Sequence, residues 1–411
     1  MTPLVPLMPL SPIGIGLIGA LSNPIPSEPF YMTITSPVEP VFTTVIGGTI
    51  TSTDNGDGTW TSKSDDVITT ASLYNNKDIT AAVYKKTDDL NTMYQQHRGN
   101  SALVSIEFKD SCDLSKVTSM GVAFRDTLIT TLNMANMNLG AVLNFSQLLY
   151  NCQELLDVTL PIICGSTATT KIHNIGAICP KVKNVDLGGL TCVSTSISNG
   201  MFYGDTLLET IDMSNTDITV KSLENMFINC EALKTVDISM IKLSSDFISI
   251  LNMVYSCGEL TTVKLPTITS TEDVSCYHSF YLCPKLVNID WNNSSFNTST
   301  MSWMYGASTM VDIDISHIDI SNCTSLAPFR ICPNLQHVKM PTGNASISYD
   351  HFFNACPQLI CIDKADTTSA GVVSPNMFNG STTNLVAPNT TERAALESAS
   401  GSSYVNASPC L

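Results

Sequence analysis

The chain has 411 residues, 43% of them hydrophobic and only 14% charged, so it is long enough to bury a core and too apolar to be disordered. Its formal net charge of −16 argues against nucleic acid, which needs a basic footprint, and against adsorption to anionic membranes. Fourteen cysteines are present without one Cys-x-x-Cys, so neither a zinc site nor a thioredoxin-like motif has support.

Residues 1–45 open the chain as "MTPLVPLMPLSPIGIGLIGALSNPIPSEPF" and onward, an apolar and proline-rich stretch. The first basic residue is Lys63, so the positive n-region of a secretory signal is missing. Prolines at 3, 6, 9, 12, 24 and 26 interrupt any membrane-spanning helix. The reading favoured is an extended segment that anchors the chain against another protein. A signal peptide, a membrane-inserted segment and a disordered tail are the alternatives. An apolar leader of this kind needs partner surface, which also predicts a homo-oligomer.

"GGTITSTDNGDGTWTSKSDD" (Gly47 to Asp66) reads as two strands around a tight turn, because Asp-Asn-Gly-Asp-Gly supplies the positive-φ residues a hairpin needs. The string also resembles a calcium loop but lacks the later bidentate Glu. Residues 46–75 are therefore expected to form a β-hairpin that caps the first rung of the repeat array beginning at Asn76.

From Asn76 onward one phrase recurs. "MFYGDTLLETIDMS" starts at Met201, "MFINCEALKTVDIS" at Met226, "MVYSCGELTTVKLP" at Met253 and "MFNGSTTNLVAP" at Met377. The key position is held by Asn76, Asn100, Asp126, Cys152, Cys179, Asp205, Cys230, Cys257, Cys283, Ala307, Cys332, Cys356 and Ser381, in steps of 24 to 27 residues. Apolar residues follow at +3, +6 and +8 (Leu233, Val236 and Ile238 after Cys230), and an apolar pair precedes at −4 and −3 (Met226 and Phe227). Alternation at +6 and +8 is the period of a strand, and the preceding pair suits a short helix or helical turn. Such a unit buries its apolar side only by stacking on its neighbours, so an α/β solenoid is expected over 76–380, with about 13 units and a parallel sheet roughly 60 Å long. The small polar residue at the key position is expected to point inward and bond backbone groups left unpaired at the bend, with the cysteines as buried thiols. Long-lived stacked thiols suit folding in a reducing cytosol.

These phrases resemble the BspA-like leucine-rich repeats, with their Met-Phe-x-x-Cys-x-x-Leu-x-x-Leu-Asp-Leu-Ser pattern; "SSFNTSTMSWMYGASTMVDIDIS" (Ser294 to Ser316) matches the variant with a Phe-x-Thr-Ser linker. The closing residues 381–411 are similar to that family's C-terminal cap, a last strand followed by a short helix, here about Thr391 to Ser400. The resemblance covers roughly 66–411. It implies a leucine-rich repeat fold with a parallel sheet on one face and short helices or turns on the other, and a non-enzymatic recognition scaffold. Such repeats occur in bacterial and protozoan surface adhesins and in structural proteins of bacteriophages.

No catalytic constellation, metal site or cofactor motif is legible, and the six histidines are scattered across the units. One column suggests binding. The position at +7 faces solvent between two inward residues and holds Glu107, Asp186, Asp212, Asp237, Asp290, Asp314 and Asp363, interrupted by Lys264 and Lys339. Either the repeat carries an Asp there that is hydrated or bonded to nearby Ser or Thr, or the column is an acidic recognition stripe for a cationic or calcium-bridged ligand. Lys234, Thr210, Asn288, Asp312 and His337 line the same face at +4 or +5. The functional expectation is a bacteriophage virion component, attached to other virion proteins through residues 1–45 and contacting a host cell-surface protein or glycan through its repeats. The alternative is a secreted bacterial surface adhesin of the same repeat class, for which Gly16 to Ser22 could serve as a poor h-region and cleavage site.

Overall fold

The computed structural model describes residues 30–165, 171–194, 199–270, 272–323, 325–326, 328–340 and 353–363. The first 29 residues, the unit at Ser381, the C-terminal cap and its helix lie outside the described residues.

The fold starts with a five-stranded sheet. Its central strand, Phe30–Thr35, pairs antiparallel with Thr59–Ser64 on one side and Ala81–Thr87 on the other. Alternation puts Phe30, Met32 and Ile34 on one face, where all three are buried, and they pack with Ala82 and Tyr84 in the common core. Part of the segment expected over 1–45, Phe30–Thr35, is therefore the central strand of a folded sheet, with the alternation of a half-buried strand. The predicted hairpin is present. Thr51–Asp54 pairs with Thr59–Ser64, and Gly56 and Gly58 take the positive φ of 77° and 83° that the turn requires. On the opposite edge Ala81–Thr87 pairs in parallel with Ser105–Phe108, and from there the chain coils.

Each coil brings one three-residue strand into parallel register with the next. Val158 sits between Leu132 and Val185, and Val185 beside Ile211; further on, Val236, Val263 and Ile289 align, as do Ile313, Val338 and Ile362. The ladder is interrupted between Thr210–Asp212 and Thr235–Asp237, and again between Asn288–Asp290 and Asp312–Asp314. A second parallel side, not anticipated from the sequence, follows the first around the coil; Thr191–Ser194, Asp217–Val220 and Lys242–Leu243 form part of it. The +3, +6 and +8 residues, the −4/−3 pairs and the key-position cysteines build one continuous core.

The expected short helices are absent from the described residues. Left-handed residues recur at −5 and −1 of the key position, such as Asn225 (φ 55°) and Asn229 (φ 58°), or Gly200 and Gly204, and no α-helix propagates through them. The chain instead makes successive tight turns, with Met253 N–H donating to Ile250 and Tyr255 N–H to Asn252. Backbone donors also reach the neighbouring coil: Asn225, Phe227 and Asn229 N–H bond the Leu251, Met253 and Tyr255 carbonyls at 2.8–2.9 Å. Met226 and Phe227 both remain buried, so the apolar pair packs as expected on a turn rather than a helix.

The left-handed residues also correct one register. Val122 and Asp126 occupy the −5 and −1 places, which puts Thr127, not Asp126, at the key position, while Leu132 still aligns with Val158. The loop between is one residue shorter in that unit, an offset the strand spacing alone cannot show.

Candidate functional site

On the strand face Glu107, Asp212, Asp237, Asp290 and Asp314 are exposed and Asp186 is half-buried. Asp186 and Asp212 are direct cross-strand partners, and Asp237 and Asp290 flank Lys264. Most of these carboxylates share a second task. The Oδ1 atoms of Asp186, Asp212, Asp237, Asp290 and Asp314 accept the N–H two residues on, from Gly188, Ser214, Ser239, Asn292 and Ser316, at 2.7–3.1 Å. Each Asp therefore ends its strand with a side-chain-closed turn, which is a local reason for the repeat to carry Asp at +7. The Ser214 bonds hold the Asp212 carboxyl below the usual carboxylate range.

The column is not uniformly acidic in effect. Lys264 lies 3.6 Å from Asp237 and Lys339 3.0 Å from Asp314, while His337 Nδ1 lies 2.5 Å from Asp312. Glu107 is paired with Lys109, just beyond the end of its strand. Asp363 stands in register with Lys339. Among the described residues Asp157, Asp186 and Asp212 form a run on adjacent strands with no ion-pair partner. Here a shallow depression of about 320 Å³ opens over three adjacent strands, rimmed by these carboxylates with Thr159, Asn184 and Thr210. Thr210 Oγ1 donates to Asn184 Oδ1 at 2.7 Å, and Asn184 Nδ2 to Asp157 Oδ1 at 3.4 Å, so the polar floor is held in place. Lys234, at +4, is not part of this depression, and Asn288 and Asp312 lie further along the face.

The turn side carries a feature the sequence reading missed. At −2 the half-buried position holds Tyr255, Tyr281 and Tyr305, whose rings stack at 5.0 and 4.8 Å, with the Arg330 guanidinium 5.9 Å from the last ring. Recurrence of Tyr at −2, also at Tyr150 and Tyr203, was the available signal. A depression of about 580 Å³ runs beside the stack and includes Leu207, Glu231 and Leu282.

The buried column behaves as a ladder of thiol hydrogen bonds. The Sγ atoms of Cys152, Cys179, Cys230, Cys257 and Cys283 donate to the carbonyls of Phe124, Leu149, Phe202, Phe227 and Val254 on the preceding coil, at 2.8–3.1 Å. Cys230 and Cys257 have their pKa pushed well up by burial, which makes them poor nucleophiles. Among the described residues no group of three His, Cys, Asp or Glu side chains could hold a metal ion, and no helix is long and apolar enough to cross a membrane. Of the histidines, His97 is enclosed with Tyr84 and Asn100, and His173, His278 and His317 sit on separate coils.

The model of the BspA type Leucine rich repeat region matches residues 177–279 and 250–384, in six copies that together span just over half of the chain. None of the curated proteins compared matches it in sequence. Among solved structures, the crystal structure of the pneumococcal vaccine antigen PcpA is similar at 11% identity over 78% of each chain, with a TM-score of 0.36. The crystal structure of a TLR13–ssRNA13 complex is similar at 14% identity over 72% of this chain and 56% of that one, with a TM-score of 0.25. The chain belongs to the BspA type leucine-rich repeat family.

Proposed function

We propose that this chain is a non-enzymatic recognition protein, a bacteriophage virion component that contacts a host surface through the depression at Asp157, Asp186 and Asp212. The observation that carries the recognition role is the pairing of Asp186 with Asp212 on an open strand face, neither with an ion-pair partner among the described residues, while Asp237, Asp314 and Asp312 further along that face are met by Lys264, Lys339 and His337. Adjacent like charges on neighbouring strands are mildly destabilising, so a cationic group of a ligand seated in this depression would relieve their repulsion. The thiol ladder supports assembly in a reducing compartment, as for a particle built in a host cytosol, rather than oxidative export.

The double substitution Asp186→Asn with Asp212→Asn tests the site, because Asn keeps the Oδ1 acceptor that closes each turn. Binding to host cells should fall at least tenfold with the melting temperature unchanged, and unchanged binding sinks the site. Mass spectrometry of the native protein tests the setting. An uncleaved N-terminus on protein that co-purifies with particles is expected, whereas cleavage near Ala20 to Ser22 would place it outside the cell as a surface adhesin.

A further inference from the structure

The column three residues before the key position carries bulky apolar side chains such as Leu149, Phe202, Phe227 and Val254, and is broken by Gly176. The gap leaves a small internal cavity of about 10 Å³, walled by Leu149, Ile175, Val182 and Phe202, roughly the room of one water. A Cβ on Gly176 would meet the Phe202 ring at 3.6 Å, an ordinary contact, so the missing side chain is not a steric necessity.

Asp205 lines the same cavity, fully buried. It occupies the key position between Cys179 and Cys230. Its Oδ1 accepts the Cys179 N–H at 2.6 Å, and its Oδ2 meets no hydrogen-bond partner. On the neighbouring rungs the thiol donates to the preceding coil's carbonyl, Cys230 to Phe202 and Cys257 to Phe227. By the same register the acceptor facing Asp205 is the Gly176 carbonyl, which also borders the cavity. A carboxylate has no proton to give it, and a neutral carboxylic acid has. The titratable groups facing Asp205 are the Cys179 and Cys230 thiols, with Cys152 beyond them, and no Lys, Arg or His lines the cavity. Burial without a cation raises the carboxyl well above its ordinary range.

We propose that Asp205 is a protonation-dependent latch: as the neutral acid it completes the ladder at its rung, directly or through one water in the Gly176 cavity, and on ionising it opens the coil between the rungs of Cys179 and Cys230. Stability from this group is full below the unfolded carboxyl's pKa near 4 and is lost as pH rises toward the folded one.

Hydrogen exchange of peptides covering 174–208, corrected for intrinsic rate, should show an opening equilibrium that grows as pH rises above the unfolded carboxyl's pKa near 4, approaching tenfold per unit. Peptides around Cys257 should lack this dependence. Asp205→Asn should flatten it, and so should Asp205→Cys, which restores the residue of the adjoining rungs and carries the test if the first variant folds poorly. Asp205 is the buried carboxyl among the described residues, so in the unmodified chain the infrared band of one protonated carboxylic acid should persist above the pH at which the exposed carboxylates ionise. An equal pH dependence in the unmodified chain and both variants, or loss of that band together with those of the exposed carboxylic acids, overturns the latch.

Discussion

Lowering the pH from 7 to 5 should destabilise the N-terminal sheet through His97 by about 2 kcal/mol, working from its protonation linkage alone. His97 is fully buried, and both ring nitrogens are engaged. Nε2 lies 2.6 Å from the Tyr84 hydroxyl and Nδ1 lies 3.1 Å from Asn100 Nδ2. With Asn100 donating to Nδ1, the ring proton sits on Nε2, and a second proton would have to displace that donor. Burial accordingly pushes the imidazole down to about 3 from 6.5. For a depressed base the contribution is whole above pH 6.5 and shrinks as pH falls toward 3, because the unfolded chain takes up the proton and the folded one does not. The full window amounts to about 5 kcal/mol, of which about 2 lies between pH 7 and 5. The chain has three tryptophans, and with fluorotryptophan their ¹⁹F lines separate. Trp60, whose Nε1 donates to the Ser36 carbonyl at 3.1 Å, then reports the N-terminal sheet during urea unfolding. Burial also depresses His173, His278 and His317, so the test is the difference between the unmodified chain and His97→Gln. The variant should lose about 2 kcal/mol of the pH 7 to 5 change at Trp60. An identical pH dependence in both would refute the reasoning.

Three further outcomes concern packing. Cys257→Ala removes the donor 2.9 Å from the Phe227 carbonyl inside the core and should cost about 1–3 kcal/mol in thermal or urea unfolding, whereas Cys257→Ser keeps a donor and should cost less. Gly189→Ala places a Cβ 1.7 Å from the Ile162 carbonyl oxygen, a backbone clash no rotamer relieves, and should lower stability by about 2 kcal/mol or more. Gly176→Ala, with only ring contacts at 3.6 Å, should be tolerated or mildly stabilising; a loss as large as that of Gly189→Ala would mean the cavity is misplaced.

The sequence by itself determined the coil and its period. The +3, +6 and +8 pattern is local, repeats in every unit, and depends only on which side chains point inward, so Val158, Val185 and Val236 could be read as core from spacing alone. The buried role of the cysteines was legible for the same reason. What the local pattern could not decide was the turn, since Met226 and Phe227 bury equally well on a helix or on a tight bend. The choice rested on left-handed residues at −5 and −1, such as Asn225 and Asn229, whose meaning lies in the bonds they make to the next coil. Stacking also decided which Asp keeps its charge to itself. Asp186 and Asp237 read alike in sequence, but one lies against Asp212 and the other against Lys264, each a full coil further along the chain. Asp205 shows the limit most sharply. In sequence it is one more small polar residue in a column of thiols, and only the glycine on the preceding coil, with the cavity it leaves, turns it into a buried acid with one oxygen unpaired.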